Sequence, residues 1–196
     1  QGWRVVLMSD RSAFDGRVIF DHLPKTAGQA VNAWLTGSLG SGCVTPNLIG
    51  DHRELIRRYG GEYSIISGHL GFHGEGLDSR YRYLTCFREP IDRAISWIFF
   101  ILKNHEKDQL GELWGEAERF FETDGNELGA IFKGYINNPY VEHFAAAIDM
   151  YCCTDDQKLE NALRVVESYD VWGLYEQMPK FLADVAELIG LPAPET

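Results

Sequence analysis

One short stretch of the sequence combines residue types that bind anions. The segment Pro24-Lys25-Thr26-Ala27-Gly28 brings together a lysine charge, a threonine hydroxyl and a glycine that lets the backbone approach a bound group closely. Apolar residues at helical spacing follow it, at Ala30, Val31, Trp34 and Leu35. The first N–H groups of a helix lack intrahelical partners, and the helix dipole favours negative charge there. A phosphate-like anion is therefore the expected ligand.

A second group of basic and hydroxyl residues occurs at Arg88, Arg93 and Ser96. Pro90 marks the first turn of a helix, so Arg88 is predicted at the end of the preceding strand. Arg93 and Ser96 are three residues apart and share a helix face. Arginine offers a fork of hydrogen-bond donors and serine a hydroxyl, and Arg93 either touches a ligand or pairs with a carboxylate. The alternative for all three residues is a solvated helix start with ion pairs.

Histidines supply the candidate general base. Gly68-His69 follows a predicted strand at residues 63–67 and begins a glycine-rich loop. An imidazole at this position suits proton transfer near neutral pH. His73, in the same loop, is the rival candidate. The alternative interpretation of His69 is a loop histidine that binds a backbone group and does no chemistry. His22 is predicted to orient the end of a strand.

The elements that must position these residues indicate an α/β fold. Strands are predicted at residues 17–20, 63–67, 81–87 and 169–176, with a further edge strand suggested at residues 5–8, and helical patterns alternate with them. Residues 37–50 are predicted to form a loop, residues 106–123 a helix, and Trp97, Phe99 and Phe100 part of the core. The expected architecture is one three-layer domain over residues 1–196, with a central, mostly parallel sheet. Ligands of such sheets collect outside the carboxyl ends of the strands, so Lys25 and His69 are expected on one rim.

Two segments resemble the motifs of one enzyme family. His22-Leu23-Pro24-Lys25-Thr26-Ala27-Gly28 is similar to the His-Ile-Pro-Lys-Thr-Ala-Gly signature of sulfotransferases that use 3'-phosphoadenosine 5'-phosphosulfate (PAPS). The branch that it resembles most contains the heparan sulfate O-sulfotransferases and their bacterial relatives. The segment from Arg88 to Ser96 resembles the family's Arg-Asp-Pro-x-x-Arg-x-x-Ser motif, with Glu89 in place of aspartate. Gly68-His69 resembles the Gly-His that opens the family's catalytic segment.

The resemblance implies a donor, a product and a role for each residue. A P-loop-like loop would hold the 5'-phosphosulfate of PAPS, through Pro24, Lys25, Thr26, Ala27, Gly28, Gln29 and Ala30. Arg88 and Ser96 would hold the 3'-phosphate, Lys25 would stabilise the leaving phosphate, and His69 would act as general base. The product would be 3',5'-ADP, the acceptor a small molecule or carbohydrate, and no metal would be needed. Residues 106–138 would cover the acceptor.

One departure from the family concerns the positions after Gly28. Family members often carry hydroxyl residues there, and this chain has Gln29 and Ala30. Two side-chain hydrogen bonds to the donor would be lost, at about 0.5–1.5 kcal/mol each. Weaker donor binding is the expected consequence, because Lys25 and the backbone N–H groups remain.

Composition and charge limit the classes of molecule that the protein is expected to bind. The 196 residues are 45% hydrophobic and carry a formal net charge of −11, which repels nucleic acid and favours a neutral or small acceptor over a polysulfated chain. No apolar run reaches the roughly 20 residues of a membrane-spanning helix. Four cysteines without metal-ligand spacing, with Cys86 predicted in the core, favour a reducing, cytoplasmic location. The start at Gln1 leaves a trimmed signal or anchor open, and nothing in the sequence indicates an oligomeric state.

Two other classes of protein stay open at this stage. The first is a catalytically silent nucleotide-binding or interaction module, which the Gln29-Ala30 departure and the acidic composition favour. The second is a kinase-like phosphotransferase that uses ATP and Mg²⁺. The chain contains no Gly-x-x-x-x-Gly-Lys-Ser/Thr sequence, which argues against the second class.

Overall fold

A single parallel sheet organises the protein. The computed structural model describes residues 16–148 and 154–192. Its strands are β1 (Val18–Asp21), β2 (Leu48–Asp51), β3 (Ile65–Gly71), β4 (Arg82–Phe87) and β5 (Val171–Leu174), in the spatial order β2-β3-β1-β4-β5. Every pairing is parallel. The predicted α/β class with a mostly parallel sheet is confirmed, and the strand suggested at residues 5–8 lies outside the described residues.

Helices connect the strands and cover both faces of the sheet. They are α1 (Gly28–Leu39), α2 (His52–Tyr59), α3 (Pro90–Asn104), α4 (Lys107–Leu110), α5 (Glu112–Glu122), α6 (Ala130–Ile136), α7 (Pro139–Ala145), α8 (Asp155–Glu167) and α9 (Met178–Ile189). The single helix predicted at 106–123 is two helices, because Gly111 adopts φ 55° between them. In the described ranges, every helix is too short or too polar to cross a bilayer.

The alternation of side chains along the strands creates two hydrophobic cores. On one face Val18, Phe20 and Leu84 pack with residues of α1 and α9. On the other face Ile19 and Ile66 pack with residues of α2, α7 and α8. Successive strand residues point to opposite faces, so the layers are helix, sheet and helix. A smaller cluster joins α3, α5 and α6.

The edge strand β2 was not predicted. Residues 37–50 were expected to be a loop, but α1 continues to Leu39 and β2 begins at Leu48. Two of its four residues are Gly50 and Asp51, which have poor strand propensity. The strand exists because it pairs with β3, with Ile49 opposite His69. Local sequence carries little of that information.

All strands run in the same direction, so their carboxyl ends form one rim. The segment that follows β1 begins at His22, and Asp21 lies opposite Gly68 of β3. Arg88 follows the last residue of β4. The residues singled out from the sequence are therefore delivered to the same edge of the sheet.

Candidate functional site: a loop, a cationic cavity and a histidine

The loop between β1 and α1 has an unusual backbone. Lys25 and Ala27 adopt φ values of 72° and 67°, a left-handed conformation that costs free energy for residues other than glycine. Backbone concavities that bind anions combine right-handed and left-handed residues. Ala27 provides no side-chain cap, and the first turn of α1 has no acidic residue. The N–H groups of Ala30 and Val31 donate to the carbonyl of Ala27 at 3.0 and 3.2 Å, so it is the N–H groups before them, at the start of α1, that remain for a ligand.

Gly28 is required at its position by His22. A Cβ atom on Gly28 would lie 2.0 Å from Nδ1 of His22, closer than real Cβ atoms approach any neighbour. The His22 ring is 2% exposed and occupies the space that Gly28 leaves. This contact fixes the first turn of α1 against the end of β1.

Thr26 does not present its hydroxyl to a ligand, contrary to the expectation. The residue is fully buried, and its Oγ1 donates a hydrogen bond of 2.9 Å to the carbonyl of Leu23. Without that bond the buried carbonyl would lack a donor, which is costly. Only the backbone of Thr26 remains for anion binding. Pro24 is half-buried, while Gln29 and Ala30 are exposed.

Lys25, Arg88 and Ser96 line one cavity of about 390 Å³. The ammonium of Lys25 lies 4.4 Å from the centre of the Phe100 ring, a cation–π contact. Burial, and secondly the nearby charge of Arg88, lower the pKa of Lys25. Two separate segments of the chain thus bring cations to a single pocket.

Arg88 is held by aromatic residues and keeps an unused donor. Its guanidinium lies 4.7 Å from the centre of the Tyr175 ring. Its backbone N–H donates to the hydroxyl of Tyr140 at 3.1 Å, and that hydroxyl donates to the Arg88 carbonyl at 2.8 Å. Nε of Arg88 is buried and has no hydrogen-bond partner in the described structure. Such a donor is costly unless something binds it.

The remaining wall of this cavity differs from the sequence prediction. Phe99 was predicted to be a core residue, but it is 42% exposed and lines the cavity beside Phe100. The prediction was wrong because α3 packs against α5 and α6 through another face, which buries Ile98 and Ile101. Asp92 also lines the cavity and contributes a negative charge.

Arg93 is a structural residue. It is 3% exposed, and its Nη2 donates to the carbonyl of Tyr135 at 2.8 Å. Its guanidinium lies 5.6 Å from the centre of the Tyr140 ring, and burial lowers its pKa. Of the two roles considered from the sequence, the carboxylate pair is not found among the described residues, and Arg93 does not line the cavity of Lys25. Arg93 instead ties α3 to the end of α6.

His69 is oriented by the segment that precedes the loop. Its Nδ1 lies 2.5 Å from the carbonyl oxygen of His22. A carbonyl only accepts, so in the neutral imidazole Nδ1 carries the proton and Nε2 holds the free lone pair that a general base needs. The backbone bond of the alternative interpretation is thus present and compatible with a role as base. His69 does not itself line the cavity of Lys25, whereas the His73 side chain is 67% exposed and faces Asp51.

His22 is neutral near pH 7. Its Nε2 lies 3.0 Å from Oδ1 of Asn47, and its ring centre lies 4.5 Å from that of His69. Burial, and secondly the charge of His69, lower its pKa to about 4. A neutral His22 does not compete electrostatically with a proton that arrives on His69. These contacts support the predicted orienting role.

One buried cluster at the same rim was missed from the sequence. Asp21 is fully buried at the end of β1, and its carboxylate accepts a 2.6 Å hydrogen bond from the hydroxyl of Tyr169. The same carboxylate lies 2.9 Å from Nε2 of His143 on α7. The available signal was Asp21 itself, an acidic residue that closes an apolar strand and must find a partner if buried. The sequence does not indicate which partner.

Comparisons with known proteins do not assign the chain to a family. No protein-family profile matches the chain, and no curated protein sequence matches it at a significant level. In residues 16–148 and 154–192, no group of three or more histidine, cysteine, aspartate or glutamate side chains is placed to hold a metal ion. The structure defines an α/β protein whose parallel sheet carries a cation-lined cavity and an oriented histidine at its carboxyl rim.

Proposed function

We propose that the protein is a sulfotransferase that moves a sulfuryl group from PAPS to a hydroxyl or amine of a small-molecule or carbohydrate acceptor. One observation carries the proposal. Lys25, from the first motif, lines the same cavity as Arg88 and Ser96, from the second motif. A donor with phosphate groups at both the 3' and the 5' position of its ribose needs cations from two such places.

The local charges suit this donor despite the acidic chain. Lys25 and Arg88 line the cavity, and α1, which begins three residues after Lys25 in the chain, carries the positive end of its dipole at this start. The unpaired Nε of Arg88 offers a hydrogen bond to a phosphate oxygen. Phe99 is 42% exposed, and the part of its ring that the Lys103 ammonium, 4.9 Å from the ring centre, does not cover offers an apolar surface to the rest of the nucleotide.

The proposed chemistry is an in-line displacement. The acceptor oxygen forms a bond to sulfur, the bond from sulfur to the bridging phosphate oxygen breaks, and 3',5'-ADP leaves. The acceptor proton passes to Nε2 of His69, whose Nδ1 proton is held by the His22 carbonyl. Lys25 and the loop N–H groups stabilise the charge that develops on the leaving phosphate.

Three variants divide this mechanism into parts. Lys25→Ala should lower kcat by about 10²–10³-fold, because it removes charge stabilisation in the transition state. His69→Ala should lower kcat by about 10²–10⁴-fold and leave donor binding unchanged. Arg88→Ala should weaken 3',5'-ADP binding by about tenfold or more. The measurements are turnover of labelled PAPS with an acceptor panel, and calorimetry with 3',5'-ADP.

His73→Ala is the matched control for His69→Ala, because it removes an exposed imidazole from the loop that follows β3, the strand that carries His69. Full activity in Lys25→Ala would refute the mechanism. Loss of turnover in His73→Ala but not in His69→Ala would transfer the base role to His73.

A silent nucleotide-binding module is the second candidate. Gln29 and Ala30 are exposed at the start of α1 and supply no hydroxyl to a phosphate. Tight binding of 3',5'-ADP, together with no sulfuryl transfer to any acceptor in the panel, would favour that function.

A further inference from the structure

A second cavity lies between α2 and the loop that joins β3 to β4. Its volume is about 740 Å³, and its wall carries Arg17, Arg53, Arg57 and Arg80. It shares no lining residue with the cavity of Lys25 and Arg88. We call this cavity the arginine groove.

The arginine groove is positively charged within an acidic chain. Its four arginines face two acidic residues of the wall, Glu75 and Asp78, while the chain as a whole carries a formal net charge of −11. The carboxylate of Glu75 is already used, because it lies 3.3 Å from Nδ1 of the buried His52 and accepts the backbone N–H of His73 at 2.7 Å. Its side chain is 8% exposed. Glu75 is therefore shielded from direct contact with a ligand, while its charge offsets one of the four arginine charges.

Two of the arginines keep an uncompensated charge. Arg57 pairs with Glu54, and Arg80 pairs with Asp78, each at 2.6 Å. Arg53 instead donates to the backbone carbonyl of Glu75 at 2.9 Å, and Arg17 lies 3.4 Å from the hydroxyl of Tyr81. Both of these acceptors are neutral, and no carboxylate in the described ranges pairs with either guanidinium. Their remaining N–H donors are available for a ligand.

The shape and chemistry of the groove favour a small, highly charged ligand. A Cβ atom on Gly61 or Gly76 would meet nothing within 4 Å, so the space beside these backbones is open. Apart from the imidazole of His52, which is 1% exposed, no ring lies among the residues described on its wall. A nucleobase would find no stacking surface, whereas guanidinium groups match the oxygens of phosphate and sulfate.

We propose that the arginine groove binds a small molecule with two or more phosphate or sulfate groups, which Arg17 and Arg53 hold. The site is separate from the donor cavity and does not depend on the proposed sulfotransferase activity. A volume of about 740 Å³ lies within the usual range of small-ligand sites, roughly 300–1,000 Å³.

The test is calorimetry with inorganic pyrophosphate in Mg²⁺-free buffer. The protein carries Lys25→Ala, Arg88→Ala and Lys103→Ala, which removes every lysine and arginine described on the wall of the donor cavity, so that cavity cannot supply the signal. Pyrophosphate should bind this background, and addition of Arg17→Ala and Arg53→Ala should weaken binding at least tenfold. Arg58→Ala is the matched control, because Arg58 lies on the same helix, is exposed and does not line the groove. It should change the affinity less than twofold.

Parallel titrations identify the chemistry of the ligand. Ethylene glycol disulfate tests sulfate against phosphate, and binding of either probe supports the proposal. Citrate, a carboxylate of similar charge, should bind at least tenfold more weakly. Circular dichroism checks that each variant is folded. If the variant with Arg17→Ala and Arg53→Ala unfolds, Arg53→Gln alone replaces these two substitutions. Arg53→Gln should weaken pyrophosphate binding at least threefold. Absence of binding by both probes, equal binding of citrate, or an equal loss in Arg58→Ala would overturn the proposal.

Discussion

At the scale of single residues, the charge of the donor cavity depends on few side chains. Asp92 lies on its wall with Lys25 and Arg88 and opposes their attraction for phosphate. Asp92→Asn keeps the size of the side chain and removes the charge. Exposed charge pairs contribute roughly 0.2–1 kcal/mol, so binding of 3',5'-ADP should tighten up to about fivefold. Calorimetry at low salt measures the change.

The control for this prediction is Asp156→Asn on α8. It changes the net charge equally but does not line the cavity, and its affinity for 3',5'-ADP should match that of the parent protein. Equal tightening in both variants would mean that the global field, and not Asp92, limits binding.

His22 links the site to the pH dependence of stability. Burial lowers the folded-state pKa of His22 from 6.5 to about 4, so the unfolded chain binds a proton in this interval and the folded chain does not. Stability is therefore complete above about pH 6.5 and falls as the pH drops towards 4. The free energy of unfolding should decrease by about 3 kcal/mol from this residue. Burial lowers the pKa of His52 as well, which adds in the same direction.

Urea unfolding at pH 7 and pH 4.5 measures this effect, and His22→Gln separates the contribution of His22 from that of His52. The variant should be less stable at pH 7 but should lose less stability between the two pH values. An unchanged pH dependence in His22→Gln would show that His22 is not the titrating group.

At the scale of elements, the position of the start of α1 depends on the close packing of Gly28 against the His22 ring. A Cβ atom on Gly28 would lie 2.0 Å from Nδ1 of His22, so the ring or the helix must move in Gly28→Ala. Overpacking of this kind costs about 1–3 kcal/mol, and movement of the helix start would also weaken 3',5'-ADP binding. Denaturant unfolding and calorimetry measure the two effects.

A double-mutant cycle with His22→Ala tests the cause. Without the ring, the methyl group of Gly28→Ala meets open space, so the double variant should lose less stability than the two single variants combined. Additive losses would place the cost in the backbone of Gly28 and not in this contact. Gly37→Ala is the control, because Gly37 lies in the same helix and a Cβ atom there would meet nothing within 4 Å.

The elements that the sequence predicts well are those with strong local signals. The strands that include Ile19 and Tyr83 are rich in β-branched and aromatic residues, and the loop at Lys25 follows from a proline, a glycine and a helical pattern. The location of β2 depends on pairing with β3, and the exposure of Phe99 depends on which face of α3 packs. Both features are determined by tertiary packing, which leaves no pattern in the local sequence.

The same distinction applies within the candidate site. Convergence on one rim follows from parallel strands, so Lys25, His69 and Arg88 could be expected together. The direction in which each side chain points could not be expected from the sequence. The hydroxyl of Thr26 turns to the Leu23 carbonyl, and Arg93 turns to the Tyr135 carbonyl, because nearby buried backbone groups require donors.

At the scale of the whole molecule, a chain of negative net charge carries two cation-lined cavities. The formal net charge of −11 repels anions at long range, while Lys25 and Arg88 attract them at short range. A ligand that meets the local cations should therefore stabilise the fold, and a polyanion of the wrong shape should not. The class of nucleotide that the protein binds can therefore be determined from the effect of each nucleotide on thermal stability.

The final prediction uses thermal unfolding with 3',5'-ADP in about 100-fold excess over its Kd. Binding to the folded state alone adds about 2.7 kcal/mol, and a chain of this size gains about 2–4 °C in Tm per kcal/mol. The Tm should rise by roughly 5–10 °C, and Lys25→Ala with Arg88→Ala should abolish the rise. Arg17→Ala with Arg53→Ala should preserve it, because those residues line the other cavity. A larger rise with ATP and Mg²⁺ at the same concentration would instead favour the kinase-like phosphotransferase.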